Sequence, residues 1–169
     1  MSNPPKTAVD ALWTELGNVA HPSGTGYMPV YYKKPRTNAT LPLIYFQDVA
    51  GAGGTEHYSC GSSNEIYTFR FEIGVWVQKT RESSAQAESG IYTISEVVYS
   101  NSKLYSYLLG KIMDDLTAAR LTNTTFCDIR IVTPNLIGRP QGPGKEAGLN
   151  TELNCFDYFI EAEVDLVDV

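Results

Sequence analysis

The stretch YTFRFEIGVWVQ, residues 67–78, decides the fold of this chain. Aromatic and aliphatic residues occupy every second position from Tyr67 to Val77, and mostly polar residues lie between them. A period of two is the spacing of side chains on one face of a β-strand, so the stretch predicts a long strand with one buried face. Trp76 falls on the otherwise polar face and requires cover of its own.

Residues 156–166 show the same alternation and predict a closing strand of similar length. The polar face of this strand holds four acids, Asp157, Glu161, Glu163 and Asp165. The simplest interpretation is a solvated sheet face. A functional electronegative surface, such as the lining of a pore, is the first alternative. Catalysis is the second, because acids at i and i+2 lie about 6.6 Å apart along a strand, a separation that overlaps that of an inverting glycosidase pair.

Apolar residues at helical spacing predict two helices. The first begins at Thr7 with a sequence that resembles a capping box, and Gly17 is suited to end it. Its apolar face follows the i, i+3, i+4, i+7 pattern with Val9, Leu12, Trp13 and Leu16. The second is the principal helix of the fold and covers residues 104–116, where seven apolar residues form a wide stripe.

The remaining segments divide into short strands and long loops. Strands are predicted at residues 43–49 and 127–131, while residues 91–99 are ambiguous between a strand and the beginning of a helix. Loops are predicted at residues 50–64, 78–90 and 134–150. A loop of the length of 134–150 is unusual in a compact domain unless it has a function.

The order of these elements favours an α+β fold in a single domain covering residues 1–169. Long alternating strands on either side of the main helix predict a mostly antiparallel sheet, with the N-terminal helix and the main helix packed on it. The long loops lie between elements, where projecting arms are able to form.

Composition limits the partners of this chain. With 169 residues and a formal net charge of −6, it lacks the positive charge by which proteins bind nucleic-acid phosphates. Charged residues make up 19%, below the roughly 25% of an ordinary soluble domain, and there are 11 tyrosines. This combination predicts that a partner subunit covers part of the surface.

The sequence indicates no membrane association and no disulfide framework. Residues 1–6 are polar, and the longest apolar run, 41–46, is far shorter than the ~20 residues that span a bilayer. Cys60, Cys127 and Cys155 are odd in number and far apart, so reduced thiols are expected.

The loop that contains His57, Ser59 and Cys60 falls short of a catalytic or metal site. Position 57 is His rather than the first glycine of a G-x-S-x-G elbow. A single His–Cys pair also supplies too few ligands for zinc. We therefore expect no catalytic residue and no metal here.

Two glycine-containing stretches fail as nucleotide-binding motifs. Residues 51–56 end in Glu56, whose charge would repel a pyrophosphate. Gly144-Lys145 is not followed by Ser or Thr, and Arg139 stands where a Walker motif needs its first glycine. We expect neither a cofactor nor enzymatic activity.

Two aromatic residues on polar strand faces suggest contact with a partner. Trp76 and Phe159 are large apolar residues at positions where polar ones are expected. Cover by a helix or a loop of the same chain is the alternative. Arg139 lies on the 134–150 loop, which is long enough to reach a neighbour, and joins them as a candidate subunit-interface residue.

The layout of these elements resembles the tail terminator (tail completion, head–tail joining) proteins of long-tailed bacteriophages. The resemblance lies in element order and size over most of the chain. It comprises the N-terminal helix, the strand ending in Phe69-Arg70-Phe71-Glu72-Ile73-Gly74-Val75-Trp76-Val77, the helix at 104–116, the strand around Ile129-Arg130-Ile131 and the closing strand at 156–166.

This resemblance implies a structural virion protein that is assembled in the host cytoplasm. It implies a hexameric ring that caps the tail tube, stops its polymerisation and joins the tail to the head or neck connector. DNA would pass through the lumen without specific binding, and Asp157, Glu161, Glu163 and Asp165 would be the lumen-facing acids that repel phosphates. The alternatives are another neck or tail component, such as a head-closure or tube protein, or a small soluble enzyme or ligand-binding domain. A toxin–antitoxin or regulatory module is the weakest alternative, because the sequence has no basic patch.

Overall fold

The protein folds into a long β-sheet with two helices. The structure is a computed structural model, and it describes residues 3–35, 39–57, 65–79, 92–94, 97–99 and 101–168. The elements are listed here in chain order: α1 (Pro4–Leu16), β1 (Val30–Tyr32), β2 (Leu43–His57), β3 (Glu65–Gln78), β4 (Tyr92–Ile94), β5 (Val97–Tyr99), α2 (Asn101–Thr122), β6 (Asp128–Gly138), β7 (Leu149–Asn150) and β8 (Cys155–Asp168).

The main sheet has the strand order β1-β2-β3-β8-β6, and β7 pairs with β8 as well. The pairing of β1 with β2 is parallel, and the other pairings in the sheet are antiparallel. The short strands β4 and β5 pair with each other in a separate two-stranded sheet. The chain is a single α+β domain with a mixed sheet, which confirms the predicted fold class.

The two strands with clear alternation form the centre of the sheet. β3 pairs with β8 along its entire length, from Glu65 opposite Asp168 to Gln78 opposite Cys155. The predicted strands at 67–78 and 156–166 are therefore confirmed and extend slightly further at their ends. Their partnership could not be read from either stretch, since alternation does not identify a neighbour.

Both helices pack on the same face of this sheet and form one hydrophobic core. Leu12 and Leu16 of α1 and Leu108 and Ile112 of α2 are buried there. They meet the apolar side chains that alternate along the strands, among them Phe71, Ile73, Ile160, Ala162 and Val164. Each such large side chain contributes about 1.5–3 kcal/mol by leaving water, so this core is the main source of stability.

α1 begins earlier than the sequence predicts. Its N-cap is Asn3, whose side chain accepts a hydrogen bond from the backbone N–H of Lys6, and Pro4 opens the first turn. Proline suits the first turn because its missing N–H would have no helical partner there. Thr7 is instead a residue of the helix, and its hydroxyl donates to the carbonyl of Asn3. Helix α2 likewise extends beyond the predicted 104–116.

Two predicted loops are partly strand. β2 continues to His57, so residues 50–57 of the predicted 50–64 loop belong to a strand, and residues 53–57 pair with β3 after an irregularity between Asp48 and Gly53. β6 continues to Gly138, which shortens the predicted 134–150 loop to residues 139–148. Pairing with a neighbouring strand overrides the local preference of glycine, and Pro134 is tolerated because β6 is a bulged edge strand.

The ambiguous stretch 91–99 contains strands β4 and β5 where it is described. The prediction of a loop at 78–90 falls mostly outside the described residues, and so do Ser59 and Cys60. Gln78 itself is the last residue of β3.

Candidate functional site: the polar face of the sheet

The sheet face opposite the helices, called the polar face below, brings together polar, charged and aromatic residues of four strands. It contains Tyr45 and Gln47 of β2, Thr68, Arg70, Glu72 and Trp76 of β3, Asp128 and Arg130 of β6, and Asp157, Phe159, Glu161, Glu163 and Asp165 of β8. All four acids predicted to share a face of the closing strand lie there, because the alternate residues of β8 point into the core.

Arg130 and its carboxylates form the first of two charge networks on the polar face. Glu163 stands between two arginines in the strand register, with Arg70 Nη2 at 3.0 Å on one side and Arg130 Nη2 at 3.1 Å on the other. Arg130 also binds Asp165 at 2.5 Å and Asp128 at 2.9 Å. Hydrogen bonds to Asp165, Asp128 and Glu163 raise the pKa of Arg130 above its usual value, so it stays charged.

The second network, called the Arg139 cluster below, consists of Arg139, Tyr45, Glu72, Asp157 and Lys34. Arg139 Nη2 donates to Glu72 Oε2 at 2.7 Å and to the Tyr45 hydroxyl at 3.1 Å. The Tyr45 hydroxyl donates to Asp157 Oδ1 at 2.5 Å, and Lys34 Nζ binds Asp157 Oδ2 at 2.7 Å. The cluster therefore ties the segment after β1 and the segment after β6 to the centre of the sheet.

Ionisation in the Arg139 cluster follows from burial and pairing. Burial raises the pKa of Tyr45 well above its usual value, and the nearby charge of Asp157 adds to this. Burial also tends to raise the pKa of Glu72, but hydrogen bonds from Arg139 and Gln47 outweigh it, and the net pKa is lowered. At neutral pH Tyr45 is thus a neutral donor and Glu72 a carboxylate.

The two aromatic candidates for a partner surface are covered by their own chain. Trp76 is 5% exposed and lies in a small cluster with Leu43, Tyr45 and Cys155. Phe159 is also 5% exposed, and the guanidinium of Arg139 lies over its ring at 4.2 Å from the centroid. Of the two interpretations, contact with a partner and cover by the same chain, the structure supports cover by the same chain for both aromatics. Arg139 itself points into the chain's own cluster rather than out of it.

The predicted open acidic ladder is also corrected. The side chains of Asp157 and Asp165 are 1% and 11% exposed, and both are paired with cations. Glu163 is half-buried between two arginines. Glu161 lies opposite Glu72 in the register, and the contact that the structure gives it within the described residues is the hydroxyl of Thr133 at 3.4 Å. Glu161 and Glu163 are therefore the acids of this strand that reach solvent.

The described His and Cys residues do not assemble into a reactive cluster. The described part of the chain contains no group of His, Cys, Asp or Glu that would hold a metal ion. Burial raises the pKa of Cys155 to about 12, which keeps its thiol protonated and unreactive. His57 lies at the end of β2, while the Ser59 and Cys60 expected to accompany it fall outside the described residues.

The described part of the chain has clefts on two sides of α2. One of about 360 Å³ lies between α2 and β6 and is lined by Thr117, Arg120, Ile129, Arg130 and Ile131. The other, of about 270 Å³, lies where α2 meets the end of α1. No helix in the described part of the chain has the length and apolar character needed to cross a membrane.

Sequence reasoning identified the acids of the polar face but missed most of their partners. The position of Arg70 could be predicted, because Arg70 and Glu72 both lie between the alternating apolar residues of β3 and therefore share a face. Lys34 and Tyr45 lie more than a hundred residues from Asp157 in the chain, and no local pattern signals such a pairing.

Comparisons with known proteins identify no relative. No family model matches the chain, and no curated protein matches its sequence.

Proposed function

We propose that this chain is a ring-forming structural protein of a tailed bacteriophage virion, with the role of a tail terminator. In this proposal a ring of about six copies caps the tail tube, stops its polymerisation and joins the tail to the head or neck connector. The copies assemble in the host cytoplasm and function in the virion. Two features support this proposal: the order of helices and strands, which resembles that of the family, and the sheet, which in the described part of the chain has helices on one face only.

The observation that carries the proposal is the polar face. Both helices cover one side of the sheet, while the described residues provide only short loops over part of the other. A two-layer α+β domain of this kind leaves the uncovered part of the polar face free for the interior of an assembly. Its arginines are already saturated by Asp128, Glu163 and Asp165, so they are poorly available to nucleic-acid phosphates.

This charge pairing suits a channel through which DNA slides. Free arginines would retain phosphates, and counterion release makes such contacts strong. Glu161 reaches solvent from the polar face and has no cation as partner among the described residues, so its charge would repel the DNA backbone. The proposal keeps the lumen-facing role for this surface but rests it on Glu161, since Asp157 and Asp165 are buried and Glu163 is paired with two arginines.

The ring is tested by the mass of the purified protein in solution. The expected result is one discrete species of about six times the 18.6 kDa subunit, seen by electron microscopy as a ring with an open centre. Long filaments would indicate a tube protein instead. A chain that stays monomeric at every concentration measured would contradict the ring.

The position of the polar face in that ring is tested by reversing one charge. Glu161→Lys should make the ring bind short duplex DNA at low salt, because the new cation would line the channel. Asp114→Lys is the matched control, since Asp114 is exposed on α2, the helix on the opposite side of the sheet. Equal DNA binding by the two variants would show that the polar face does not line the channel.

A further inference from the structure

Residues 30–35, called the strap below, lie over part of the polar face. They comprise the edge strand β1 and the three residues that follow it. Beneath them is a small buried group, called the aromatic cluster below, which consists of Leu43, Tyr45, Trp76 and Cys155. Tyr31 packs against this cluster together with Ala39 and Leu41, and the ammonium of Lys34 lies 5.3 Å from the centroid of the Tyr45 ring. The strap is therefore part of the cover of the aromatic cluster.

The strap has few backbone attachments. Within the described residues, β1 pairs in parallel with residues 44–46 of β2 and with no other strand, and its three side chains are half-buried. The hydrogen bonds at its two ends run from the N–H of Ile44 to the carbonyl of Pro29 and from the N–H of Lys33 to the carbonyl of Phe46. Segments with few buried contacts are the ones that open locally in native proteins.

The Lys34–Asp157 ion pair holds the far end of the strap. Lys34 Nζ lies 2.7 Å from Asp157 Oδ2, and the side chain of Asp157 is 1% exposed. At the near end, Tyr32 donates a hydrogen bond to Asp48 and its ring contacts that of Phe46. Removing one partner of a buried ion pair is strongly unfavourable. The pair with Asp157 is therefore the contact on which closure of the strap depends most.

Two features of the closed strap are unfavourable. Lys33 has a φ of 65°, in the left-handed region that residues other than glycine rarely adopt. Trp76 Nε1 is buried and has no hydrogen-bond acceptor in the described part of the chain. A buried donor without an acceptor is costly, and contact with water removes that cost. Opening of the strap would therefore relieve backbone strain and give the indole N–H access to water.

The chain before the strap is fixed to the core. Met28 is 3% exposed, and its N–H donates to the carbonyl of Val19 at 2.8 Å. Val30 and Tyr32 of the strap, in contrast, are only partly buried against the edge of that core. Movement that begins after Met28 thus leaves the helices and the centre of the sheet in place.

We infer that the strap opens as a unit, with the Lys34–Asp157 pair holding it closed, while the core between the helices and the sheet stays folded. Opening replaces a charged surface, the ammonium of Lys34, by the rings of Tyr45 and Trp76. The polar face thus contains a conformational switch that sets whether the aromatic cluster meets solvent. The switch belongs to the single subunit, so it holds whether or not the chain forms a ring.

Cys155 reports the opening, because it is a fully buried member of the aromatic cluster. Burial raises the pKa of its thiol to about 12, and the nearby charges of Asp157 and Lys34 act on it as well. A buried, protonated thiol reacts poorly with alkylating reagents. Cys60→Ser combined with Cys127→Ser leaves Cys155 as the single thiol of the chain. The rate at which excess iodoacetamide alkylates this protein then measures the opening of the strap.

The first test removes the ammonium that holds the strap. In this background, Lys34→Met should raise the alkylation rate at least about tenfold, because Asp157 loses its cation. Lys111→Met is the matched control, since the same change at the more exposed pair with Asp115 on α2 should leave the rate within about twofold. Circular dichroism checks that both variants are folded. A rate in Lys34→Met no higher than in Lys111→Met overturns the inference.

Urea separates opening of the strap from unfolding of the whole domain. The urea dependence of an opening reaction scales with the surface that it exposes. Alkylation through the strap should therefore depend little on urea below the unfolding transition, in the parent protein and in Lys34→Met. A rate that rises in both with the full slope of global unfolding would overturn the inference, because the thiol would then react only in the unfolded chain.

The second test closes the strap more firmly. Lys33→Gly and Lys33→Ala both remove the ammonium, but only glycine adopts a φ of 65° without strain. Alkylation should be at least about threefold slower in Lys33→Gly than in Lys33→Ala, because relief of strain favours the closed strap. This comparison does not require a destabilised protein. Equal rates in the two variants, or a faster rate in Lys33→Gly, would show that Lys33 is not strained by closure and would overturn the inference.

Discussion

Gly148 allows the 139–148 loop to rejoin the sheet. Its N–H donates to the carbonyl of Arg139 at 2.9 Å, and its own carbonyl accepts from the N–H of Asp157 at 2.8 Å. Its φ of 82° favours glycine, and a Cβ there would lie 2.4 Å from Cζ of Tyr158. The ring of Tyr158 is held in place by stacking on Tyr105 at 4.0 Å. Both the backbone and the space at this position therefore require glycine.

Gly148→Ala should lower the free energy of unfolding by about 2 to 4 kcal/mol, because strain and overlap act together. Gly142→Ala is the matched control. Gly142 also has a positive φ, 111°, but a Cβ there would meet nothing within 4 Å, so a loss of about 1 to 2 kcal/mol is expected. Urea unfolding measures both. Equal losses would show that the overlap with Tyr158 is relieved at no cost.

Arg139 is the residue on which the second charge network depends. Arg139→Met should cost about 2 to 4 kcal/mol in unfolding free energy, because it leaves the half-buried Glu72 without its cation and removes a donor from Tyr45. Arg120→Met is the comparison, since Arg120 is largely exposed and its pairing with Asp128 is expected to contribute less than about 1 kcal/mol. A loss from Arg139→Met no larger than that from Arg120→Met would contradict a structural role for the cluster.

At the scale of elements, the first helix shows how a sequence pattern identifies a helix but misses its start. Leu12 and Leu16 are buried as predicted and Val9 is partly buried, but Trp13, predicted on the same face, is 44% exposed. The N-cap lies at Asn3 rather than Thr7. Hydroxyl and amide residues cap helices equally well, so two nearby candidates compete. Pro4 was the available signal, since proline is favoured in the first turn.

Asn3→Ala should reduce stability by about 1 kcal/mol through loss of the hydrogen bond to the N–H of Lys6. Thr7→Ala should change it by less than about 0.5 kcal/mol, because its hydroxyl bonds a carbonyl one turn back in the helix. The buried face of α1 ties this helix to the core, so thermal unfolding of the whole domain reports both changes. The reverse order of effects would restore Thr7 as the cap.

Strand length is the element-level feature that the sequence underestimates. Residues 50–57 and 134–138 contain glycine or proline and were predicted as loops, yet both are strand. Each lies beside a long, regular neighbour, β3 or β8, whose backbone groups need partners. The hydrogen-bond requirement of that neighbour is a nonlocal cause, and it is invisible in a window of local sequence.

At the scale of the whole molecule, stability should fall in alkaline solution. Burial, together with the hydrogen bond to Asp48, raises the pKa of Tyr32 to about 12, and burial with Tyr105 as neighbour raises that of Tyr158 to about 12. Because these pKa values are higher in the folded state than in the unfolded chain, the stability they represent is complete below pH 10 and lost as pH rises to about 12.

Urea unfolding from pH 8 to pH 12 measures this loss. Tyr158→Phe cannot ionise at this position, so its stability should decline less steeply than that of the wild type above pH 10. A wild-type stability that stays constant up to pH 12 would contradict the burial of these phenols.

The sequence by itself determined the α+β class, the two helices, the two long alternating strands and the face on which each acid lies. These features follow from periods of 3.6 and 2 residues, which are local and are set by backbone geometry. Only the tertiary structure decided which strands are neighbours, that Trp76 and Phe159 are covered, and that Asp157 is buried beneath Lys34 and Tyr45. The physical reason is that burial and ion pairing depend on groups brought together from distant parts of the chain, and their energies arise only when water is removed from between them.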